Sequence, residues 1–151
     1  MPRLRDVTSD EWRLVARAAS HLLRVRLALW FLPFNSVRLN SAARAGAEAG
    51  DRYFADRAAW AVSALGRRLP MMTCLVQAIA LQTLLAEHGD IAILRIGVRR
   101  EVSDGSAPRL LAHAWLERDG RVLIGHMPDL ASYAALSAPA DHAAARLVWE
   151  G

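Results

Sequence analysis

Two side chains, one thiol and one imidazole, have the chemistry of an acyl-transfer site. Cys74 is the single cysteine of the 151 residues, and it follows Pro70 and Thr73, which together are a start signal for a helix. At a helix N-terminus a thiol faces unpaired backbone N–H groups and the positive end of the helix dipole, which favour an anion. The sequence therefore predicts that Cys74 is either an activated nucleophile or a small buried apolar residue.

The second side chain is His113, which lies in the otherwise apolar run Leu110–Leu116. The run is predicted to be a strand, and an imidazole buried without a hydrogen-bond partner there would cost about 1–3 kcal/mol. His113 is thus either a satisfied core residue or a base that faces the thiol. A helix-start cysteine followed by a strand histidine is the order that papain-like and transglutaminase-like enzymes use to bring these groups together.

The first half of the chain is predicted to be helical. A capping box of Thr8 and Glu11 opens a first helix that Pro33 ends, and a second helix is predicted over residues 51–68. Apolar stripes predict that both pack on their own domain, although the arginines of the first also fit a helix lying on a membrane surface. The stripe of the first helix is Trp12, Val15, Ala16, Ala19, Leu22, Leu23, Leu27 and Trp30; that of the second is Phe54, Ala58, Ala61, Val62 and Leu65.

The second half changes to a buried helix followed by short strands. The helix is predicted from Cys74 to His88, with Gly89 as its stop, because nearly every side of it is apolar. Asp119-Gly120 is a two-residue hairpin turn. Strands are predicted over 91–98, 110–117 and 121–124, a polar loop over 99–108, and short helical or extended segments over 130–136 and 143–149.

Length and composition limit the class of protein. With 54% hydrophobic residues the chain can bury one core, and 151 residues leave no room for a second full domain. Together with the predicted helices and strands, this indicates one α+β domain, residues 1–151, with a helical N-terminal subregion over 1–68 and a core over 69–151 whose order of cysteine and histidine resembles that of papain- and transglutaminase-like enzymes. A single cysteine excludes an internal disulfide and a multi-cysteine zinc site, and no cofactor or metal is predicted.

Charge and hydropathy predict a cytoplasmic protein that binds neither nucleic acid nor membrane. No signal-peptide pattern is present, and the uncharged stretch 27–37 is too short to span a bilayer. The net charge is +4, and every basic residue is an arginine. These arginines are spread along the chain without the aromatic interleaving of a nucleic-acid module, so they predict a solvated surface.

Three segments of the predicted core resemble the stand-alone leader peptidase of lasso-peptide biosynthesis, the split B-protein type. Cys74-Leu75 and Ala112-His113-Ala114-Trp115 are its most specific elements. The similarity runs from about Trp60 to Ile124 and extends more loosely to Leu32-Pro33-Phe34. The segments are Leu69–Ala78, Leu94–Val98 and Ala112–Glu117, together with Gly89 and Asp119-Gly120.

The resemblance implies a transglutaminase-like cysteine protease that removes the leader from a ribosomally made precursor peptide. Cys74 would attack the scissile carbonyl, and His113 would act as base and then as acid to the leaving amine. The implied partners are the precursor peptide, a separate leader-recognition protein and an ATP-using lasso cyclase.

The third catalytic residue is where the sequence departs from that family, which usually carries an Asp on the strand after the histidine. In the register set by the hairpin turn, Gly125 and His126 lie opposite His113, so no carboxylate is there. Asp129 is the nearest candidate and would reach the imidazole if the hairpin ended in a bulge or bend. His126 or a backbone carbonyl could orient the ring instead.

The oxyanion site and the reaction class stay open at this point. The backbone N–H of Cys74 is the predicted oxyanion donor, whereas Gln77, one turn into the helix, is left unassigned. Trp115 shares the strand face of His113 and either lines the cleft or fills the core. Besides a leader peptidase, the motifs fit another Cys–His acyl-transfer enzyme, such as an amidase or transglutaminase, or a catalytically silent peptide-binding module.

Overall fold

The computed structural model describes residues 9–31, 51–102 and 108–136 and has an α+β architecture, as predicted. Predictions on Thr8, Pro33 and residues 143–149 lie outside the described residues. Three helices precede most of the sheet. They are α1 (Ser9–Phe31), α2 (Arg52–Gly66) and α3 (Cys74–Ala86), followed by strands β1 (Ile93–Glu101), β2 (Arg109–Arg118), β3 (Arg121–Ile124) and β4 (Ala134–Leu136).

The strands form one antiparallel sheet with the order β3-β2-β1-β4. β1 and β2 pair along their full length, from Ile93 opposite Glu117 to Glu101 opposite Arg109. The loop predicted over residues 99–108 therefore begins too early. Backbone pairing with β2 continues the strand through the polar residues 99–101, whose side chains carried no strand signal.

The hairpin between β2 and β3 has the predicted turn but an irregular ladder. Asp119 and Gly120 have φ angles of 50° and 72°, as a tight two-residue turn requires. The register then shifts, because Glu117 pairs with Val122 whereas Leu116 pairs with Ile124. The extra residue, Leu123, makes a β-bulge, so the plain register predicted from the turn ends at Glu117.

The segment after β3 is a 3-10 turn over Leu130–Ser132 that leads into β4. β4 pairs with β1, placing Ala135 opposite Gly97. The predicted segment 130–136 is thus part helical and part extended.

The helices share one core with the sheet. The fully buried large side chains include Leu22 of α1, Val62 of α2, Leu84 of α3 and Leu116 of β2. α3 is the most buried helix, and it contacts both α1 and β2. This core crosses the boundary between the two predicted subregions.

The buried face of α1 matches its predicted stripe only in part, since Leu22 is fully buried and Val15 packs against the core. Its buried residues are Ala18, His21, Leu22 and Val25. His21 contacts Glu87 just beyond α3, so the buried face of α1 combines apolar side chains with one polar side chain that has a partner. The predicted stripe residues Trp12, Leu23, Leu27 and Trp30 are exposed.

None of α1, α2 and α3 combines the length and apolar character of a membrane-spanning helix.

Candidate active site

Cys74 is the first residue of α3, where the sequence predicted a helix start. Thr73 is the N-cap, and its Oγ1 accepts a hydrogen bond from the backbone N–H of Val76 at 3.4 Å. The Cys74 thiol is free and half-buried. The backbone N–H groups of Cys74 and Leu75 precede the first intrahelical hydrogen bond, so the helix start offers two donors beside the sulfur.

The loop before Cys74 is held by Gln77, which the sequence left unassigned. Its Nε2 donates to the carbonyl oxygen of Met72 at 2.8 Å. Met71 has a φ of 65°, a strained value for a residue with a side chain. A Cβ at Gly66 would overlap the Gln77 amide, so the end of α2 packs closely against this amide. Gln77 therefore positions this loop, and its amide is already engaged.

His113 is half-buried on β2 and makes a hydrogen bond to backbone. Its Nε2 lies 2.7 Å from the carbonyl oxygen of Gly125. A carbonyl can only accept a hydrogen bond, so Nε2 carries the proton. In the neutral ring Nδ1 is then the unprotonated nitrogen, which is the atom able to act as a base.

The His113 ring packs against two aromatic residues. Its centroid lies 5.8 Å from that of Tyr133 and 6.2 Å from that of Trp115. Trp115 is buried, and its Nε1 donates to Glu117 at 2.6 Å. Strand alternation places His113 and Trp115 on one side of β2, whereas Leu116 points to the other side, into the core shared with the helices.

Asp129, predicted as the third catalytic residue, is bound to an arginine. Its Oδ2 lies 2.5 Å from a terminal nitrogen of Arg99. The Arg99 guanidinium in turn lies 5.2 Å from the centroid of the Tyr133 ring, which contacts His113. Among the described residues, the acceptor on the His113 imidazole is the Gly125 carbonyl, so the catalytic role of Asp129 stays a prediction.

The cooperation of Cys74 and His113 also stays a prediction. α3 contacts β2, so the helix and the strand that carry them are neighbours. Within the described residues no hydrogen bond joins the thiol to the imidazole. The described chain also contains no group of three or more histidine, cysteine, aspartate or glutamate side chains that could bind a metal ion.

Sequence reasoning did not place Gly97 and Tyr133 beside the His113 ring, because both are far from His113 along the chain. Gly97 pairs directly with His113, and a Cβ added there would lie 2.9 Å from atoms of Trp115 and Tyr133. A glycine inside a strand is itself a signal of close approach. Nothing local in the sequence indicated Tyr133.

Comparison with protein families matches residues 19–138 to the transglutaminase-like superfamily. The chain belongs to this superfamily. The match covers the second half of α1, all of α2 and α3 and the whole sheet, including Cys74 and His113. Searches of curated proteins and of solved structures found no significant match. The superfamily includes Cys–His acyl-transfer enzymes, whose order of helix-borne cysteine and strand-borne histidine this chain shares.

Proposed function

We propose that this transglutaminase-like protein is a cysteine peptidase that cleaves the leader from a lasso precursor peptide. The observation that carries the proposal is a capped helix that begins at Cys74, beside a strand whose His113 has Nε2 engaged and Nδ1 available as a base. The motif resemblance around these two residues supplies the substrate class. The reaction takes place in the cytoplasm, on a peptide delivered by a separate leader-recognition protein.

The proposed reaction has two halves. In the first, Nδ1 of His113 takes the thiol proton, and the Cys74 sulfur attacks the scissile carbonyl to form a thioester. The imidazolium returns the proton to the leaving amine, which becomes the N-terminus of the core peptide. In the second half, His113 deprotonates a water that hydrolyses the thioester, releasing the leader with a free carboxylate and regenerating the thiol.

The N–H groups of Cys74 and Leu75 are the oxyanion donors in this scheme, because Gln77 is engaged with Met72.

The core peptide leaves with a free amine. A lasso cyclase that joins this amine to an acidic side chain is the proposed consumer of the product.

Mass spectrometry of the precursor peptide, incubated with the protein and the leader-recognition partner, tests the proposal. Cys74→Ala is expected to abolish cleavage, and His113→Ala to lower the rate at least about a hundredfold. His88→Ala is the matched control, since His88 lies beyond the opposite end of α3 and contacts Phe54. Undiminished cleavage by Cys74→Ala would end the assignment as a cysteine peptidase.

A second measurement tests the pair without any substrate. Because the chain has one cysteine, alkylation by iodoacetamide reports on Cys74 alone. His113→Ala is expected to slow alkylation at about pH 6, where an unassisted thiol is almost fully protonated. Equal rates in wild type and His113→Ala would show that the imidazole does not assist the sulfur.

The products separate the alternative functions. An amide-exchanged product, with the acyl group transferred to an added amine, would indicate an amidase or transglutaminase. Binding of the precursor without turnover would indicate a peptide-binding module that has kept the fold.

A further inference from the structure

We propose that the backbone carbonyl of Gly125 positions the His113 imidazole, in the role that a carboxylate side chain fills in a three-residue catalytic site. The positioning is a property of the folded chain, whereas its catalytic use rests on the proposed function. The 2.7 Å contact between Nε2 and this oxygen is the observation from which the inference starts.

The backbone at Gly125 is shaped for this contact. Gly125 has a φ of 84°, in the left-handed region that favours glycine. A Cβ there would lie 2.7 Å from the carbonyl oxygen of Ala114 and 2.8 Å from the Cβ of Trp115. Any side chain would therefore move residue 125 away from β2 and take its carbonyl out of reach of His113.

The bulge at Leu123 brings the carbonyl to this position. After the register shift the ladder resumes with Ile124 opposite Leu116, and Gly125 follows this last residue of β3, outside the strand pairing. The oxygen can then accept from a side chain instead of a backbone N–H.

Contacts with Tyr133 and Trp115 restrict the orientation of the ring that this hydrogen bond holds. Tyr133 is buried and lies against the Arg99 guanidinium, which Asp129 binds. Asp129 is thus linked to His113 through two intermediate side chains, those of Arg99 and Tyr133. The direct acceptor is the main chain.

A matched pair of glycine variants separates the carbonyl from the backbone strain. Gly120 has a φ of 72°, close to that of Gly125, yet a Cβ at Gly120 would meet no atom within 4 Å. Gly120→Ala and Gly125→Ala therefore impose similar conformational strain, and the crowding that displaces the carbonyl occurs in the second alone.

Nitrogen-15 spectra of the histidine rings test the positioning without substrate, and His113→Ala identifies the signals. In wild type and Gly120→Ala we expect a protonated, exchange-protected Nε2 and an unprotonated Nδ1. In Gly125→Ala we expect the protected Nε2 proton to disappear. A wild-type ring protonated on Nδ1, or an equally protected Nε2 proton in both variants, would overturn the proposal. Should Gly125→Ala fail to fold, the wild-type spectrum alone decides.

The rate of peptide cleavage is the second test of the proposal. Gly125→Ala is expected to lower kcat/KM at least about tenfold relative to Gly120→Ala, and Asp129→Asn less than about threefold relative to wild type. A tenfold loss in Asp129→Asn, with Gly125→Ala equal to its control, would assign the role to Asp129. If no variant cleaves any peptide, including wild type, the peptidase proposal fails, while the nitrogen spectra still decide the positioning of His113.

Discussion

Gly97 shows how closely the side chains around His113 are packed. It lies opposite His113, and a Cβ at this position would lie 2.9 Å from the Trp115 ring and from Tyr133. We expect Gly97→Ala to lower the free energy of unfolding by about 1–3 kcal/mol, because both neighbours must move. Urea unfolding of wild type and variant measures the change.

Trp115→Phe is the control for this substitution, because phenylalanine lacks the outer ring atoms that Gly97 approaches. The cost of Gly97→Ala should fall in the Trp115→Phe background, leaving the part due to Tyr133. An identical cost in both backgrounds would mean that Trp115 does not crowd this site.

The sequence predicted single residues well where the signal was local. Thr73 and Cys74 occupy the predicted cap and first turn because capping depends on a few adjacent residues. For the partner of the His113 ring the sequence left Asp129, His126 and a backbone carbonyl open, since the choice depends on the bulge at Leu123, which no local residue pattern indicates. The binding of Asp129 by Arg99 joins residues 30 positions apart and exists only in the assembled sheet.

At the scale of elements, α1 and the end of α3 are joined through one carboxylate. Glu87 Oε2 lies 2.8 Å from a nitrogen of Arg17 and 3.2 Å from Nε2 of His21. Burial opposes ionisation of Glu87, but hydrogen bonds and charges of Arg17 and His21 outweigh it and lower its pKa. The charged carboxylate therefore stabilises the contact between the two helices.

The sign of this shift predicts a pH-dependent effect of Glu87→Gln. A lowered pKa in the folded state contributes stability that is present above the ordinary glutamate pKa and lost as the pH falls through the folded value. Because Glu87 is partly exposed, we expect the variant to be less stable by at most about 1 kcal/mol at about pH 7. Urea unfolding at about pH 7 and at about pH 3 should show a smaller difference at the lower pH.

The exposed pair of Asp10 and Arg13 supplies the comparison, since both side chains are more than four-fifths exposed. Asp10→Asn should change stability by no more than about 0.5 kcal/mol at either pH. A Glu87→Gln deficit that persists unchanged in acid would refute the electrostatic origin.

The helix stop and the hairpin turn followed from the sequence, although α3 ends at Ala86, two residues before the predicted end, and the packing of α1 followed only in part. The stop at Gly89, with a φ of 73°, and the Asp119-Gly120 turn are set by backbone conformations that few residues adopt. The choice of buried face on α1 depends on what lies opposite, and this face includes Ala18 and His21 as well as Leu22. The end of β1 was missed because its polar residues 99–101 owe their strand conformation to pairing with β2.

At the scale of the whole molecule, one core joins the helices to the sheet. Leu22 from the N-terminal subregion and Leu116 from the sheet belong to the same buried cluster. We therefore expect the described chain to unfold in one cooperative transition. Tryptophan fluorescence, with Trp30 and Trp60 on the helices and Trp115 on the sheet, should give the same urea midpoint as circular dichroism.

A destabilising substitution in α1 tests the same cooperativity more directly. Leu22→Ala on α1 should lower the midpoint seen by both probes equally, because removal of a fully buried leucine typically costs about 2–5 kcal/mol. Separate midpoints for fluorescence and circular dichroism would show that residues 1–68 and 69–151 do not unfold as one unit.

The bulged edge strand makes the molecule sensitive to a kind of change that substitutions do not sample. Deleting Leu123 would leave Ile124 opposite Leu116 but would remove the extra residue, and with it the local bend and added twist that a bulge gives its strand just before Gly125. The hairpin would still close and the core would still form. We therefore expect a one-residue deletion in the edge strand β3 to displace the Gly125 carbonyl from the His113 ring while leaving the protein folded.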